Sequence, residues 1–177
     1  MHVTLLTAQS LDGFITRHDQ AGSSFTSPED KTHFRAALAG FDCGVMGGVT
    51  YRGAREWIRA HVAAPERLCL VLTRDPAAYA SEARAGELEF SAAAPKKIIA
   101  GLEARGRRRC ALLGGGQVHG LFFAAGLVDE LWLTVEPVLF GQGTPLLAGT
   151  VDVRLELLTL EKLNAGGTLL LHYRVAR

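Results

Sequence analysis

Short apolar runs alternate with helix-like segments along most of the chain, and this alternation restricts the fold more than any other feature of the sequence. The apolar runs predict strands over residues 2–9, 43–46, 68–73, 88–90, 109–113 and 130–136. The segments between them predict helices over residues 28 to about 39, about 50 to 60, 95–105 and 117–125. Strands that alternate with helices in this way are typical of an α/β protein with a mostly parallel sheet.

The C-terminal tail follows a different pattern. Residues 155–163 and 168–175 alternate apolar and polar side chains more clearly, as strands of an antiparallel pair do. Between them lies Asn-Ala-Gly-Gly at 164–167, which favours a tight turn. The sequence therefore predicts an antiparallel hairpin at the edge of the sheet.

Composition restricts the class of function. The 177 residues include 19 basic and 18 acidic side chains, and this balance argues against a dedicated nucleic-acid binder, which usually carries a basic excess. The apolar runs are far shorter than the roughly 18 residues of a membrane-spanning helix. The start of the chain, residues 1–6, is typical of a strand and not of a signal peptide. We therefore expect a soluble cytoplasmic protein with no nucleic-acid or membrane partner.

The cysteine and histidine residues predict no metal site. Cys43, Cys69 and Cys110 are far apart and each begins an apolar run, which favours small buried side chains on strands over a catalytic thiol. The six histidines form neither an H-x-H nor an H-E-x-x-H pattern. A structural or catalytic zinc site is therefore not expected.

Two segments join a buried strand to a glycine turn and a helix start: V-M-G-G-V-T-Y at 45–51 and A-L-L-G-G-G-Q-V at 111–118. Glycine lets backbone N–H groups approach a phosphate, and the helix N-terminus adds a favourable dipole. In a parallel sheet both turns lie at the carboxyl edge, where ligands bind. We expect the two glycine turns to bind the phosphates of a dinucleotide. The alternative is that each is only a tight turn. Neither matches G-x-G-x-x-G, and the P-loop motif is absent.

The segment Ser-Pro-Glu-Asp at 27–30 is a typical helix start. Ser27 is suited to the cap, Pro28 to the first helical position, and the two carboxylates to the positive end of the helix dipole. Taken alone, Asp30 is therefore a capping charge.

Together these segments resemble the dihydrofolate reductase superfamily, and within it the reductase branch of riboflavin biosynthesis. The resemblance covers nearly the whole chain. It rests on S-L-D-G-F-I at 10–15, P-E-D-K-T-H-F at 28–34, the two glycine turns, G-L-V-D-E-L at 126–131 and P-V-L-F-G at 137–141. It implies a three-layer α/β/α fold with a mostly parallel central sheet and a C-terminal antiparallel hairpin, in a single domain over residues 1–177.

The resemblance also implies a function. The expected activity is that of an NADPH-dependent reductase that transfers a hydride to a small heterocyclic or ribityl-bearing molecule, similar to 5-amino-6-(5-phosphoribosylamino)uracil reductase. Alternatives are a dihydrofolate or pterin reductase, a non-catalytic nucleotide-binding protein of the same fold, and an interaction protein. The riboflavin branch and the leucine-rich hairpin edge both imply a homodimer; the alternative is a monomer whose hairpin closes its own sheet. A deaminase domain is not expected, because H-x-E and P-C-x-x-C motifs are absent.

The site residues follow from the same resemblance. Asp30 is the expected catalytic residue, and Ser10 and Phe34 are expected to contact the substrate. The residues expected to contact the cofactor are Ala8, Ile15, Gly47, Gly48, Thr50, Thr73, Arg74, Gly114, Gly115, Gly116, Gln117 and Val118. Among these, Ala8 and Ile15 are expected near the nicotinamide.

This chain departs from the riboflavin reductases in three places. The arginine that follows Met-Gly in the family is Gly48 here, so Arg74 or Arg52 is expected near the adenosine 2′-phosphate. The family stretch A-D-D-P corresponds to Y-R-G-A-R-E at 51–56, which has no aspartate. A family glutamate is also missing where residues 113–114 stand. The missing acids belong to the ribityl-phosphate site, so the sequence leaves the physiological substrate open.

Overall fold

A computed structural model describes residues 1–176, which fold around one mixed eight-stranded sheet. The strands are β1 (His2–Ser10), β2 (Cys43–Gly47), β3 (Leu68–Leu72), β4 (Leu88–Ser91), β5 (Arg109–Gly114), β6 (Glu130–Glu136), β7 (Leu155–Lys162) and β8 (Leu169–Val175). The helices are α1 (Pro28–Leu38), α2 (Gly48–Gly53), α3 (Arg55–His61), α4 (Pro95–Ala104) and α5 (Gly116–Ala124).

The strand order is β4-β3-β2-β5-β1-β6-β8-β7. Strands β1 to β6 are parallel to their neighbours in this group, and β8 runs antiparallel to both β6 and β7. This confirms the predicted parallel sheet and C-terminal hairpin. Because the central strands are parallel, their carboxyl ends form one edge of the sheet, where β1 ends at Ser10, β2 at Gly47, β5 at Gly114 and β6 at Glu136. We call this the carboxyl edge.

Alternate residues of the central strands supply two apolar cores. On one face, Val3 and Leu5 of β1 pack with residues of α4 and α5, such as Leu102 and Phe122. On the other face, Leu6 packs with residues of α1, α2 and α3. Both faces of the sheet are therefore covered, as parallel sheets require, and the expected three-layer α/β/α arrangement is confirmed. Cys43, Cys69 and Cys110 are free and buried on strands.

One predicted helix is wrong as a continuous element. The segment predicted as a helix over 50–60 forms α2 and α3, because Ala54 leaves the helical conformation with φ of −136°. The preceding residue, Gly53, permits a close approach of the chain, since a Cβ there would lie 3.0 Å from Cβ of Ala21. The loop between β1 and α1 therefore packs against the break.

The predicted turn at 164–167 joins β7 to β8. Its Asn164 side chain accepts hydrogen bonds from the backbone N–H groups of Gly167 and Thr168, and Gly167 adopts a φ of +101° that glycine tolerates best. Among the described residues, no helix is long and apolar enough to cross a membrane, and no cluster of three or more potential ligands is placed to hold a metal ion.

Candidate active site

The two glycine turns meet at the carboxyl edge. A Cβ on Gly47 would lie 3.0 Å from Cγ2 of Val118, so the end of β2 touches the first turn of α5. The hydroxyl of Thr50 lies 3.4 Å from the corresponding Cβ position on Gly115 and 3.8 Å from that on Gly114. The end of β2 and the start of α5 therefore meet at this edge, with the Thr50 hydroxyl beside Gly114 and Gly115.

Both turns also leave helix N–H groups without a side-chain cap. The helix α2 begins after Gly47 and α5 begins after Gly115, and neither glycine supplies a capping hydrogen bond. The first N–H groups of a helix have no acceptor within that helix, and the dipole of a helix attracts anions to this end. The surface is thus suited to negatively charged groups such as phosphates.

A guanidinium group occupies the space beside Gly48. A Cβ on this residue would lie 3.5 Å from Nη1 of Arg52 and 3.7 Å from Cβ of Thr73. The same Nη1 donates a hydrogen bond of 2.8 Å to the hydroxyl of Tyr79. Arg74 is exposed just after Thr73. Of the two arginines weighed from the sequence, Arg52 is thus the one shown beside Gly48.

Gly116 has a different surrounding from its two neighbours in the second turn. A Cβ on Gly116 would collide with the carbonyl oxygen of Pro145, and a Cβ on Gly120 would collide with that of Ala148. These two glycines let the segment 144–148 pack closely on α5. Packing alone therefore accounts for glycine at position 116. The side chain of the next residue, Gln117, is exposed.

His119 connects this packing to the second turn. It is fully buried, its Nδ1–H donates a 2.7 Å hydrogen bond to the carbonyl of Leu146, and its Nε2 has no partner. The Nε2 atom lies 3.5 Å from the Cβ position on Gly114. Burial lowers the pKa of His119 to about 4, with the hydrogen bond to Leu146 opposing the shift. The imidazole is therefore neutral at pH 7.

Asp30 is buried in the first turn of α1, with 7% of its surface exposed. Burial raises the pKa of its carboxyl group, and the charge of Glu136 raises that pKa further. Hydrogen bonds with Thr134 and Thr26 act in the opposite direction, as does His33. The carboxyl group therefore holds a proton more readily than an exposed aspartate does.

Of the predicted substrate and nicotinamide contacts, Ala8 and Phe34 lie on or beside elements that also position this carboxyl group. Ala8 lies directly opposite Thr134 in the sheet, so it is a neighbour of the residue that bonds Asp30. Phe34 lies one turn after Asp30 on α1, and its ring centroid lies 6.0 Å from that of Trp57. Ile15 is half-buried in the loop after β1, where its N–H donates to the carbonyl of residue 144.

Ser10 has a structural explanation in this fold. Its buried hydroxyl donates to the Asp12 carboxylate and accepts from the N–H of Phe14. Asp12 in turn accepts hydrogen bonds from the N–H groups of Phe140 and Gly141. The S-L-D-G segment thus ties β1 to the loop after β6.

A second buried carboxylate, Glu136, was not predicted from the sequence. It is 3% exposed and ends β6; its Oε1 accepts from the N–H of Ser27, and its Oε2 accepts from the Thr168 hydroxyl, both at 2.7 Å. Its position at the carboxyl end of a strand, just before Pro137, is the signal that could have identified it. Thr134 and His33 were also missed: Thr134 belongs to none of the quoted motifs, and His33 lies within P-E-D-K-T-H-F at 28–34 but was not singled out there.

A comparison with protein-family models identifies the family of this chain. The family model for the RibD C-terminal domain matches residues 1–169. The chain belongs to this family. The resemblance inferred from the sequence is thereby confirmed, and so is the class of enzyme, because the family comprises reductases of riboflavin biosynthesis. None of the curated proteins matches the chain in sequence.

Solved structures share the fold at low sequence identity. A pyrimidine reductase-like protein from Corynebacterium diphtheriae is 17% identical with a TM-score of 0.76, over 99% of this chain and 92% of that one. A diaminohydroxyphosphoribosylaminopyrimidine deaminase/5-amino-6-(5-phosphoribosylamino)uracil reductase from Thermotoga maritima is 15% identical with a TM-score of 0.74. That match covers 99% of this chain and 56% of the longer protein.

A third solved structure, of a dihydrofolate reductase, shares the fold. Dihydrofolate reductase from Enterococcus faecalis, complexed with NADP(H) and RAB-propyl, is 19% identical with a TM-score of 0.66. The match covers 99% of this chain and 97% of that one. The expected dihydrofolate reductase-like fold is therefore confirmed.

Proposed function

We propose that this protein is an NADPH-dependent reductase acting on 5-amino-6-(5-phosphoribosylamino)uracil or a closely related aminopyrimidine, with residues 1–177 as one reductase domain. The observation that carries the proposal is a single edge of the sheet that joins two uncapped glycine turns to a buried carboxyl group, Asp30. This arrangement occurs in a chain of the RibD C-terminal domain family. The Thermotoga maritima relative carries the name of this reductase.

The glycine turns fit the cofactor. The Cβ position on Gly115 meets only the Thr50 hydroxyl within 4 Å, which leaves the backbone of this turn accessible. The turns at 47–50 and 114–118 would hold the phosphates of NADPH through backbone N–H groups and this hydroxyl. Arg52 would face the 2′-phosphate, with Arg74 as the alternative. Ala8 and Ile15 would lie near the nicotinamide. This ring supplies a hydride when NADPH is bound.

The chain itself provides the proton. A carboxyl group whose pKa is raised by burial retains its proton closer to neutral pH, which suits a general acid. The Asp30 carboxyl would donate this proton to the substrate atom next to the hydride acceptor. Thr134 and Thr26 orient the carboxyl group through their hydrogen bonds. Phe34 and Trp57 would contact the pyrimidine ring, and Ser10 would lie at the border of the same pocket.

We also propose a cytoplasmic homodimer. The strand β7 is an open edge of the sheet, and Leu157, Leu158 and Leu160 on it are exposed by 52%, 40% and 59%. An open strand edge with apolar side chains is a template for pairing with a second copy. Three free cysteines suit a reducing compartment. Light scattering should give twice the 19.0 kDa chain mass, and Leu160→Lys should shift the mass towards that of one chain.

The experiment that tests the function combines binding and turnover. Titration with NADPH and NADH, followed by fluorescence and thermal shift, should show binding of NADPH. Addition of 5-amino-6-(5-phosphoribosylamino)uracil should then produce stoichiometric loss of absorbance at the nicotinamide band. Oxidation of NADPH by dihydrofolate but not by the aminopyrimidine would favour the pterin alternative. Binding without turnover of either would favour the non-catalytic alternative, and no binding of either cofactor would contradict the proposal.

A further inference from the structure

Glu136 joins three separate segments of the chain at the carboxyl edge. It is the last residue of β6, and only 3% of its surface is exposed. Its Oε1 accepts a 2.7 Å hydrogen bond from the N–H of Ser27, the residue that caps α1. Its Oε2 accepts a 2.7 Å hydrogen bond from the hydroxyl of Thr168, which directly precedes β8. Both carboxylate oxygens therefore have a donor, as a buried carboxylate requires.

The contact with Ser27 leads directly to Asp30. The hydroxyl of Ser27 accepts a 3.2 Å hydrogen bond from the N–H of Asp30. Two hydrogen bonds, one at the backbone of Ser27 and one at its side chain, thus connect the end of β6 with the backbone of Asp30. The position of the buried Asp30 carboxyl group therefore depends on how Glu136 holds the start of α1.

The turn between β7 and β8 holds the same part of α1 from a second direction. The side-chain amide of Asn164 donates a 2.9 Å hydrogen bond to the Thr168 hydroxyl and a 3.1 Å hydrogen bond to the carboxylate of Glu29. The contact with Glu29 is exposed, whereas the bond from Thr168 to Glu136 is buried. Because hydrogen bonds are stronger in a buried, low-dielectric environment, the bond at Glu136 is the main connection to this turn.

We infer that Glu136 is a positioning residue: it holds Asp30 at the carboxyl edge and is the charged member of this pair of buried carboxyl groups. The purpose of this role rests on the proposed reductase function, whereas the contacts that define it do not. Glu136 acts through Asp30, because Ser27 and Thr168 already occupy its two oxygens.

Charge distinguishes the two carboxyl groups. When two carboxyl groups are close together, the charge of one opposes the ionisation of the other. The two donors to Glu136 favour its carboxylate form, whereas burial and the charge of Glu136 raise the pKa of Asp30. His33, on the same helix, lowers that pKa. Glu29 is exposed and bonds Asn164. Asp30 therefore holds the proton, and Glu136 holds the charge.

The first test concerns the charge and needs neither cofactor nor substrate. In protein with 13C-labelled aspartate, the carboxyl signal of Asp30 is followed by NMR between pH 3 and 9 and is assigned with Asp30→Asn. Glu136→Gln should lower the titration midpoint of Asp30 by about one pH unit, the scale of a nearby like charge. Glu136→Asp keeps the charge and should lower the midpoint less. Identical Asp30 titrations in wild type and Glu136→Gln would overturn the inference.

The control for this titration is Glu89→Gln. Glu89 lies on β4, and four strands separate β4 from β6 in the sheet. The loss of this carboxylate should leave the Asp30 midpoint unchanged.

The second test concerns the anchor and leaves the carboxylate of Glu136 in place. Thr168→Val removes the hydroxyl group but keeps the shape of the side chain. The amide protons of Ser27 and Asp30 should then exchange with solvent about 10-fold faster than in wild type, the scale of one lost hydrogen bond. Exchange at Leu38, the last residue of α1, should not change. Thr168→Ser, which keeps the hydroxyl group, should restore slow exchange.

Unchanged exchange at Ser27 and Asp30 in Thr168→Val would overturn the anchor. This result also decides the inference if Glu136→Gln does not fold.

The third test measures NADPH oxidation with 5-amino-6-(5-phosphoribosylamino)uracil across pH. Glu136→Gln should move the basic limb of the kcat profile to lower pH, because Asp30 then loses its proton more easily. Above neutral pH, kcat should fall by about 10-fold, the effect of a one-unit shift, while KM and NADPH affinity match those of Glu89→Gln. A wild-type profile in Glu136→Gln would overturn the inference. If wild type does not oxidise NADPH, the proposed function fails, and the titration and exchange measurements alone decide the role of Glu136.

Discussion

Acidic side chains have opposite environments at the two edges of the parallel sheet. At the carboxyl edge, Asp30 is buried among hydroxyl groups and its pKa is raised, chiefly by burial. The opposite edge, where the parallel strands begin, is called the amino edge. There Glu89 of β4 accepts two hydrogen bonds from Arg105, of 2.7 and 2.9 Å, and these bonds lower the pKa of Glu89. The same chemical group is thus biased towards its protonated form at one edge and towards its charged form at the other. A carboxyl group whose pKa is raised by burial marks a candidate functional site, whereas a carboxylate paired with an arginine stabilises the fold.

The substitution Asp30→Asn tests most directly whether the buried carboxyl group at the carboxyl edge is functional. The variant keeps the size of the side chain and can still complement the helix start, so the protein should fold. Under the proposed function, kcat should fall by about 100-fold or more, the scale of a lost general acid, while the NADPH dissociation constant stays near that of wild type. Stopped-flow and steady-state NADPH oxidation check this.

The matched control is Glu89→Gln at the amino edge, which should leave kcat unchanged. A fully active Asp30→Asn enzyme would reduce Asp30 to a helix cap and assign the proton to water.

The next prediction concerns His119, a buried imidazole at the carboxyl edge. Its folded-state pKa of about 4 lies below the ordinary 6.5 of the unfolded chain, so the unfolded chain binds the proton first as the pH falls. The stability of the fold should therefore drop between pH 6.5 and 4, by about 3 kcal/mol from this group. Urea unfolding of wild type and His119→Asn should show a stability difference that shrinks towards pH 4. Asparagine is chosen because its amide can still donate a hydrogen bond to the carbonyl of Leu146. A stability difference between wild type and His119→Asn that does not change with pH would contradict this account.

The phosphate-binding turn is tested by Gly115→Asp. Gly115 has a φ of −89°, which any residue adopts, and a Cβ there meets only the Thr50 hydroxyl. The fold should tolerate the substitution, but the new carboxylate should repel a phosphate and raise the NADPH dissociation constant by about 10-fold or more. Gly115→Asn, equal in size and uncharged, should bind NADPH more tightly than the aspartate variant. Equal affinities in the two variants would place the phosphates elsewhere.

The 2′-phosphate contact is tested by comparing Arg52→Gln with Arg74→Gln. Arg52 lies beside Gly48 and is held by Tyr79, whereas Arg74 is exposed. Loss of one charge-assisted contact should weaken NADPH binding by about 10-fold in Arg52→Gln and leave NADH binding unchanged. Fluorescence titration with both cofactors checks this selectivity. A selective loss in Arg74→Gln instead would assign the contact to Arg74.

The smallest effect is expected at the amino edge. The ion pair between Arg105 and Glu89 is largely exposed, so Arg105→Gln should cost about 1 kcal/mol of unfolding free energy at most. Activity and NADPH affinity should not change. Thermal unfolding and NADPH oxidation measure both quantities, and a loss of turnover would show that the two edges are not independent.

The sequence predicted most of the strands and helices and the positions of the two glycine turns. The bounds of β1, β2 and β6 were predicted within one or two residues, because buried strands appear as continuous apolar runs. The break at Ala54 was missed, since it depends on the loop at Ala21 packing against Gly53, and such a contact leaves no local pattern. The glycine turns were predicted because glycine next to a strand is visible in one segment of chain.

The residues around Asp30 show the limit of reading one segment at a time. Thr134 and Glu136 come from β6, more than one hundred residues after Asp30 in the chain. The chain by itself determined which segments are strands and helices, since hydrophobic periodicity and capping are local properties. Only the tertiary structure decided that a capping carboxylate becomes a buried acid close to Thr134 and Glu136, because desolvation and charge coupling depend on what the sheet and α1 bring together.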